Sequence, residues 1–255
     1  MILHPDVKLN FGLRILRRRE DGFHELQSLF VPCSAFRDEL EVLPSERFAI
    51  SIDGPCYTGW EAAEDLCAKA WALMEQEYGI GPVSIRLQKN SPVGAGLGGG
   101  SADAAYTLKA LDGIFSLGLE KGRLAELAAR LGSDCPFFIY ERPMLASGRG
   151  EVLEPFEIDL SAYDIAVEVP QGVSVSTREA YAGLDLSAAG TSSPLEEILA
   201  GPAEQWPGRL VNDFEPSVFA AHPQIAALKR SMYERGAVYA SMSGSGAAVF
   251  GLFRK

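Results

Sequence analysis

Long apolar runs are missing from this sequence of 255 residues, and no stretch approaches the roughly 18–20 apolar residues that a membrane-spanning helix needs. The first residues also lack the charged and then apolar layout of a secretory signal peptide. Cysteine is scarce: Cys33, Cys56, Cys67 and Cys135 are scattered and form no C-x-x-C pair. This spacing disfavours zinc and redox motifs, so we expect reduced thiols and a cytoplasmic protein with no membrane partner.

Positive charge is also in short supply. The chain has 23 basic and 34 acidic residues, which give a formal net charge of −11. Such a balance disfavours nucleic acid as a partner. Four arginines cluster within residues 14–19, just before Asp21-Gly22, and because Asp-Gly is a turn signal we interpret them as a solvated hairpin end. Hydrophobic residues make up 47% of the chain, enough for a sizeable core, and no obligate protein partner is predicted.

Glycine, in contrast, is concentrated in one place. Five glycines fall within seven positions: Gly94, Gly96, Gly98, Gly99 and Gly100. Glycine loses the most backbone entropy on folding, so five together indicate that backbone N–H groups approach a bulky anion. Alternation over residues 83–89 predicts a strand before the loop, and helical spacing of apolar residues predicts a helix after it. With Ser101 as its N-cap and Asp103 in its first turn, this helix start is typical of a phosphate cradle.

Other interpretations of the glycine-rich loop fit less well. It is not a Walker A loop, because no Gly-Lys-Ser/Thr follows the glycines. Gly94, Gly96 and Gly99 match the dinucleotide pattern G-x-G-x-x-G. However, the loop lies far from the N-terminus, and the acidic residue about twenty positions on, Asp112, falls near the end of a helix. A flexible linker is disfavoured by the strand and the helix that flank the loop.

Periodicity along the chain predicts the α+β class with two subdomains, at residues 1–154 and 155–255. Glycine and proline near residues 150–160 mark the boundary between them. A loose surface segment is expected at 187–208, and Gly132 is expected to end a helix in the usual C-terminal role of glycine. The predicted strands are 9–16, 25–31, 83–89, 163–169, 237–242 and 247–253, and the predicted helices are 61–78, 123–131 and 223–236.

Three segments together resemble the GHMP small-molecule kinases: Pro5-Asp-Val-Lys-Leu-Asn10, the loop at 92–105, and Ser241-Met-Ser-Gly-Ser-Gly-Ala247. Their order and spacing cover nearly the whole chain. Three more segments, at 21–26, 132–138 and 212–215, are similar to the members of the family that act on a methylerythritol unit carrying a CDP group. The resemblance implies a two-subdomain fold with its active site in the cleft between subdomains. It also implies ATP- and Mg²⁺-dependent phosphorylation of the 2-hydroxyl of that substrate, in the non-mevalonate isoprenoid route.

The resemblance also implies catalytic roles. Phosphoryl transfer requires a group that accepts the hydroxyl proton and a cation that screens developing charge. Asp134 matches the family's base, although an aspartate in a Gly-Ser-Asp turn is equally suited to capping. Lys8 matches the cation, although a strand lysine can also be an ordinary outward-facing charge.

The binding residues implied by the resemblance fall into two sets. The expected ATP cradle consists of Pro92, Val93, Gly94, Ala95, Gly96, Leu97, Gly98, Gly99, Gly100 and Ser101. Ser101 is expected to contact a phosphate or Mg²⁺, or only to cap its helix. Residues 243–246 are a second candidate anion nest or a plain hairpin turn.

For the substrate, His24 is expected to hydrogen-bond the cytosine with Phe23 packed beside it, and Tyr181 to stack on the base from the other side. Asn10 is expected to orient the substrate. Three of these residues also have a purely structural alternative. His24 could be an ordinary half-buried side chain, Tyr181 a core aromatic on a helix face, and Asn10 an asparagine at the end of a strand.

Departures from the family pattern place an extra carboxylate, Asp6, near the expected site and put Asp65 where many relatives carry asparagine near the adenine. Phe23 replaces a frequent tyrosine. Three other functions remain open: a GHMP kinase for homoserine, mevalonate or a sugar, a non-catalytic nucleotide sensor, and a Rossmann-type oxidoreductase.

Overall fold

A computed structural model describes residues 1–184 and 194–255. Its strands are β1 (Ile2–Leu3), β2 (Asp6–Arg18), β3 (His24–Arg37), β4 (Glu39–Pro44), β5 (Ala49–Asp53), β6 (Val83–Gln88), β7 (Met144–Ser147), β8 (Val152–Pro155), β9 (Tyr163–Glu168), β10 (Tyr239–Met242) and β11 (Val249–Arg254). Its α-helices are α1 (Leu66–Tyr78), α2 (Gly99–Phe115), α3 (Lys121–Leu131), α4 (Phe137–Tyr140), α5 (Thr177–Ala182), α6 (Leu195–Leu199), α7 (Glu215–Ala221) and α8 (Pro223–Glu234). Short 3₁₀ helices cover Ala62–Glu64 and Ala203–Gln205.

The chain divides into two compact units, each assembled from separate segments. Unit 1 comprises residues 1–7, 32–93 and 98–142, and unit 2 comprises residues 8–31, 94–97 and 143–255. Strand β2 therefore begins in unit 1 and continues in unit 2 from Lys8, and the glycine-rich loop is divided between the units after Leu97. The proposed domain boundary at residues 154 and 155 stays a prediction.

Unit 1 has a mixed sheet in the order β1-β4-β6-β5, in which only the β5–β6 pair is parallel. Helix α2 packs on α1, α3, α4 and β4. Its apolar positions repeat at helical spacing, and Ala102, Ala105, Leu108 and Leu111 are all fully buried. This packing fixes the helix whose N-terminus closes the glycine-rich loop.

Unit 2 has two sheets, in the orders β2-β3-β7-β8 and β10-β11-β9, in which the β3–β7, β7–β8, β10–β11 and β11–β9 pairs are antiparallel. Side chains from both contribute to one apolar cluster, which includes Leu13, Leu26 and Val249. Helix α8 adds Ile225 and Met232 to that cluster. The helix predicted at 223–236 and the strands predicted at 9–16, 25–31, 163–169, 237–242 and 247–253 are confirmed within one to three residues at most ends, β2 and β3 being longer than predicted.

Two of the predictions for local structure were wrong, and a third was confirmed with a different backbone conformation. Helix α1 begins at Leu66 rather than residue 61, because Asp65 has an extended backbone and its carboxylate accepts a hydrogen bond from the N–H of Cys67 at 2.8 Å. Gly132 does end α3 as its C-cap residue, as predicted, but with φ of 178° it is extended rather than left-handed. The segment predicted as loose at 187–208 contains α6 and a 3₁₀ helix with buried Leu195 and Trp206, while its residues 187–193 lie outside the described part of the chain.

In the described residues, no helix combines the length and the apolar character that crossing a membrane would require.

Candidate functional site

The glycine-rich loop leads directly into helix α2. Gly94, Gly96 and Gly98 have φ of +67°, +74° and +72°, and Gly98 is the N-cap residue. The prediction that Ser101 caps the helix was wrong, because the helix begins at Gly99 and Ser101 already lies in its first turn. The N–H groups of residues 99–101 therefore face out of the N-terminus with the positive end of the helix dipole, which suits an anion.

One glycine of the loop is fixed by contact with a distant turn. A Cβ added at Gly96 would lie only 2.0 Å from the carbonyl oxygen of Ser243. The Ser243 hydroxyl donates to the Gly96 carbonyl at 3.1 Å, and the N–H of Ala248 donates to the carbonyl of Ala95 at 3.0 Å. The loop and the turn at 243–246 therefore pack backbone against backbone, which only glycine at position 96 permits.

The same serine contacts Asn10, one of the two predicted residues of strand β2. The N–H of Asn10 donates to the Ser243 hydroxyl oxygen at 3.3 Å, and the amide of Asn10 donates to Ser28 at 2.9 Å. The ammonium of Lys8 donates to Oδ1 of Asn10 at 2.5 Å and lies 4.7 Å from the ring centroid of Phe30. Lys8 and Asn10 are both buried, so neither is an ordinary outward-facing side chain.

A buried charge cluster that the sequence did not reveal lies behind the start of α2. The ammonium of Lys89 lies 2.5 Å from Oδ2 of both Asp38 and Asp103, and all three residues are at most 3% exposed. Asp38 also accepts hydrogen bonds from the hydroxyl and the N–H of Ser91. The expectation that Asp103 serves the helix dipole was wrong, because it lies beyond the first turn and pairs with Lys89.

Electrostatics differ between the two carboxylates of this cluster. Burial raises the pKa of Asp103 well above its usual value despite the nearby Lys89. Burial also acts on Asp38, but Lys89 and the hydrogen bonds from Ser91 outweigh it and lower that pKa. For Lys89, the two carboxylates overcome the effect of burial and raise the pKa. A Cβ added at Gly99 would lie 2.3 Å from Oγ of Ser91, so the helix start packs tightly on this cluster.

Asp134 lies in the turn between α3 and α4, as predicted from its Gly-Ser-Asp context. It is half-buried, and its backbone carbonyl accepts a hydrogen bond from the N–H of Phe137 at 3.3 Å. The next residue, Cys135, is buried, which raises the pKa of its thiol to about 12 despite a hydrogen bond with Ser101. That contact connects the first turn of α2 to the turn that carries Asp134, within unit 1.

Of the residues predicted for the cytosine, the structure brings His24 and Tyr181 into direct contact in unit 2, whereas Phe23 contacts Arg149. The rings of His24 and Tyr181 stack with centroids 4.7 Å apart, and Tyr181 meets Phe214 edge-on at 4.8 Å. Burial and then the positive charge of Arg18 lower the pKa of His24. Phe23 is 54% exposed, and the guanidinium of Arg149 lies 4.7 Å from its ring centroid.

The residues that depart from the family pattern have local partners. Asp6 forms an ion pair with Arg37 at 2.5 Å. Besides capping α1, Asp65 accepts a hydrogen bond from Nε1 of Trp60 at 3.0 Å. Among the expected cradle residues, Ala95 and Leu97 have buried side chains and offer the backbone, whereas Val93 is 47% exposed.

Within residues 1–184 and 194–255, no group of three or more His, Cys, Asp or Glu residues is arranged to hold a metal ion. A Mg²⁺ ion commonly keeps several waters and is bound through one or two protein groups together with substrate phosphates. The Ser101 hydroxyl at the start of α2 is compatible with that mode of binding.

Comparison with known proteins agrees with this geometry. The family models of the GHMP kinases N terminal domain and the GHMP kinases C terminal match residues 65–142 and 192–255. The chain is 40% identical over 255 residues to the 4-diphosphocytidyl-2-C-methyl-D-erythritol kinase of Azobacteroides pseudotrichonymphae, covering 100% of this chain and 94% of the relative. It is 42% identical to the protein of the same name from Parabacteroides distasonis, covering 100% and 92%. A crystal structure of a 4-(cytidine 5'-diphospho)-2C-methyl-D-erythritol kinase superposes with a TM-score of 0.80 at 35% identity, covering 99% and 90%.

The close contact at Gly96 predicts a large effect of adding one methyl group. Gly96→Ala should lower the free energy of unfolding by about 2 kcal/mol or more, because left-handed backbone costs alanine roughly 1–2 kcal/mol and the clash adds to it. Urea unfolding followed by circular dichroism measures the change.

Gly100→Ala is the matched control, since it adds the same methyl group four positions further along the chain, where a Cβ meets nothing within 4 Å. Alanine in a helix is favoured over glycine, so this variant should be as stable as the parent or more stable by up to about 1 kcal/mol. Equal unfolding midpoints for the two variants would contradict the contact.

Proposed function

Because this chain belongs to the GHMP kinase family, we propose that it transfers the γ-phosphoryl group of ATP to the 2-hydroxyl of 4-diphosphocytidyl-2-C-methyl-D-erythritol. The observation that carries the proposal is similarity along the whole chain, at 40% identity or more, to proteins that bear this activity in their names. In the non-mevalonate isoprenoid route, this step is a phosphotransfer to an alcohol.

The phosphate cradle supports the ATP half of the reaction. Phosphoryl transfer depends mainly on positioning and on stabilising charge over the phosphoryl oxygens. The N–H groups at the start of α2 and the backbone of residues 94–98 would bind the phosphates without side chains in the way. Contact between Gly96 and Ser243 holds part of this loop in one conformation before ATP arrives, which lowers the entropy lost on binding.

The reacting hydroxyl requires both a base and a cation. In the proposal, the oxygen of the hydroxyl forms a bond to the γ-phosphorus, the bond to the β,γ-bridging oxygen breaks, and ADP leaves. Asp134 accepts the hydroxyl proton. Lys8, buried and held by Asn10, lowers the pKa of the hydroxyl and screens negative charge. Asn10 thereby orients the lysine as well as the substrate.

Mg²⁺ would neutralise charge on the β- and γ-phosphates when bound. We assign the Ser101 hydroxyl as the protein group that faces either this ion or a phosphate oxygen, because it stands in the first turn of α2. Its hydrogen bond with Cys135 orients it there.

The stacked pair of His24 and Tyr181 supports recognition of the cytosine. Because burial and Arg18 lower the pKa of His24, its imidazole stays neutral at pH 7 and offers one donor and one acceptor. A neutral pyrimidine edge presents the same kinds of groups. Because the rings of His24 and Tyr181 stack on each other at 4.7 Å, a base that stacks on Tyr181 opposite His24 would have to separate the two rings.

We also propose the cytoplasm as the compartment, since Cys33, Cys56, Cys67 and Cys135 are all free thiols.

A panel of acceptors tests the substrate. ADP release should be stimulated strongly by 4-diphosphocytidyl-2-C-methyl-D-erythritol and little by homoserine, mevalonate or galactose, each at the same concentration with Mg²⁺ and ATP. Coupled-enzyme kinetics measure the ratio of kcat/KM values. A preference for one of the other acceptors would assign a different member of the family, and stimulation by none would favour a nucleotide sensor.

The role of Asp134 predicts loss of chemistry with retention of ATP binding. Asp134→Asn preserves the size of the side chain but cannot accept the proton, so kcat should fall about 10²–10⁴-fold. Fluorescence titration with ATP should give a dissociation constant within about threefold of the parent, a difference well under 1.4 kcal/mol. Glu126→Gln, which removes a largely exposed carboxylate on α3, is the control. Parent-like turnover by Asp134→Asn would eliminate Asp134 as the base.

The role of His24 predicts a selective loss of affinity. His24→Ala should raise KM for the cytidylyl substrate about 5- to 150-fold, the range expected for roughly 1–3 kcal/mol of base contact. KM for ATP should change far less, and exposed His4→Ala should change neither. Steady-state kinetics with each substrate varied in turn measure both constants, and equal increases would argue against a cytosine contact.

A further inference from the structure

The segment Asn212-Asp213-Phe214-Glu215 has no catalytic role assigned so far, yet it is tied closely to strand β2. The N–H of Leu13 donates to the carbonyl of Val211, and the N–H of Asp213 donates to the carbonyl of Leu13, both at 2.9 Å. Oδ2 of Asp213 accepts the N–H of Ile15 at 2.8 Å. The segment is therefore held in fixed register on the strand that carries Lys8 and Asn10.

The side chain of Asn212 points away from that strand to the distant turn. It is 1% exposed, and its amide nitrogen donates to the carbonyls of Met242 and Gly244, at 2.9 and 2.8 Å. Its Oδ1 accepts the N–H of Phe214 at 3.0 Å. An asparagine amide has two N–H donors, and here both are used on carbonyls that flank Ser243.

Glu215 holds the strand that leads into the same turn. Its Oε1 accepts the N–H of Met242 at 2.9 Å and the hydroxyl of Ser241 at 3.3 Å, and its Oε2 pairs with Lys229 at 2.6 Å. Glu215 therefore anchors the residues before Ser243, the N–H of Ser243 donates to the carbonyl of Ala248 at 2.9 Å, and Asn212 holds the carbonyls on either side of Ser243.

Ser243, which lies between the carbonyls of Met242 and Gly244, connects Asn212 to the residues of the proposed reaction. The hydroxyl of Ser243 contacts both the backbone N–H and Oδ1 of Asn10. The same hydroxyl lies 3.1 Å from the carbonyl oxygen of Gly96. Oδ1 of Asn10 in turn accepts a hydrogen bond from the ammonium of Lys8. A shift of the turn would therefore move the phosphate loop and the support of the lysine together.

We infer that Asn212 is a positioning residue for phosphoryl transfer. Through the carbonyls of Met242 and Gly244, it acts on the turn at 243–246 and so holds Gly96 and the Lys8–Asn10 pair in reacting geometry. This inference rests on the proposed function. It assigns a role to a motif for which the sequence offered none, and it makes the amide, rather than the charge of its neighbour Asp213, the essential group.

Asn212→Asp tests the inference because it keeps the size of the side chain and removes both donors. One carboxylate oxygen would then face both carbonyl oxygens, while the other could still accept the N–H of Phe214, and the turn should shift. We expect kcat to fall about 10- to 100-fold, the scale of a small misplacement of reacting groups. Circular dichroism should show the variant fully folded at the assay temperature. Asp213→Asn, which retains an acceptor for Ile15, is the control and should keep kcat within about twofold, a difference of under 1 kcal/mol.

A double-variant cycle separates positioning from a merely structural role. If Asn212 acts through Ser243, the reductions in kcat caused by Asn212→Asp and by Ser243→Ala should not multiply. The double variant should then be no slower than the slower single variant. Multiplying effects on kcat would overturn the inference. So would a folded Asn212→Asp with parent-like kcat.

Hydrogen exchange supplies a readout that does not depend on the substrate. Asn212→Asp should speed exchange in peptides covering 94–98 and 241–248, where Gly246 and Ala248 donate to Ser243 and Ala95. Absence of parent activity on the cytidylyl substrate would defeat the proposed function, while unchanged exchange would defeat the positioning role. If Asn212→Asp fails to fold, Asn212→Ser, which retains one donor, takes its place. Failure of both variants to fold would show that Asn212 serves the fold alone and would overturn the inference.

Discussion

The approach of the Gly96 backbone to the Ser243 carbonyl is the contact on which the candidate site depends. Since a Cβ at Gly96 would stand 2.0 Å from that oxygen, the loop's conformation is fixed by a partner far along the chain and not by the loop's own residues. Ser243 also contacts Asn10, so one serine is shared by the phosphate loop and the strand of Lys8. The site of unit 2 is therefore one packed structure and not a set of independent motifs.

The glycines of the loop are required for two different reasons. Gly96 gives room to a carbonyl in unit 2, whereas Gly99 gives room to Ser91 and Lys89 in unit 1. Lys89 lies between two buried carboxylates, and breaking such a pair leaves an uncompensated charge in the interior at a cost of about 3–5 kcal/mol. The start of α2 is thus held from behind by charge pairing, which leaves its exposed N–H groups for an anion.

Sequence periodicity was sufficient for the fold class and for the long helices and strands, because burial of one face repeats with the geometry of each element. The shorter elements of the described residues, among them β1, β4, β5, β7, β8 and α4–α7, were not predicted. Periodicity was also insufficient at helix ends. Asp65 was not predicted as a cap, and Ser101 was predicted as one wrongly, since the left-handed Gly98 already ends the loop. Motifs located His24 and Tyr181, and the structure brings their rings into contact. Lys89 was missed because its partners are distant in sequence and become neighbours only through the fold; the catalytic and binding roles stay predictions.

The shared serine also has a consequence for synthesis of the protein on the ribosome. Gly96 and Ser243 are separated by 147 positions, so the loop emerges long before the turn that shapes it. At about 5–20 residues per second, the interval is on the order of 10 s. Throughout that time a nascent chain carries all the glycines of the loop but lacks the backbone against which Gly96 packs. The part of the loop around Gly96 therefore reaches its final conformation only late in translation, after residue 243 has been made.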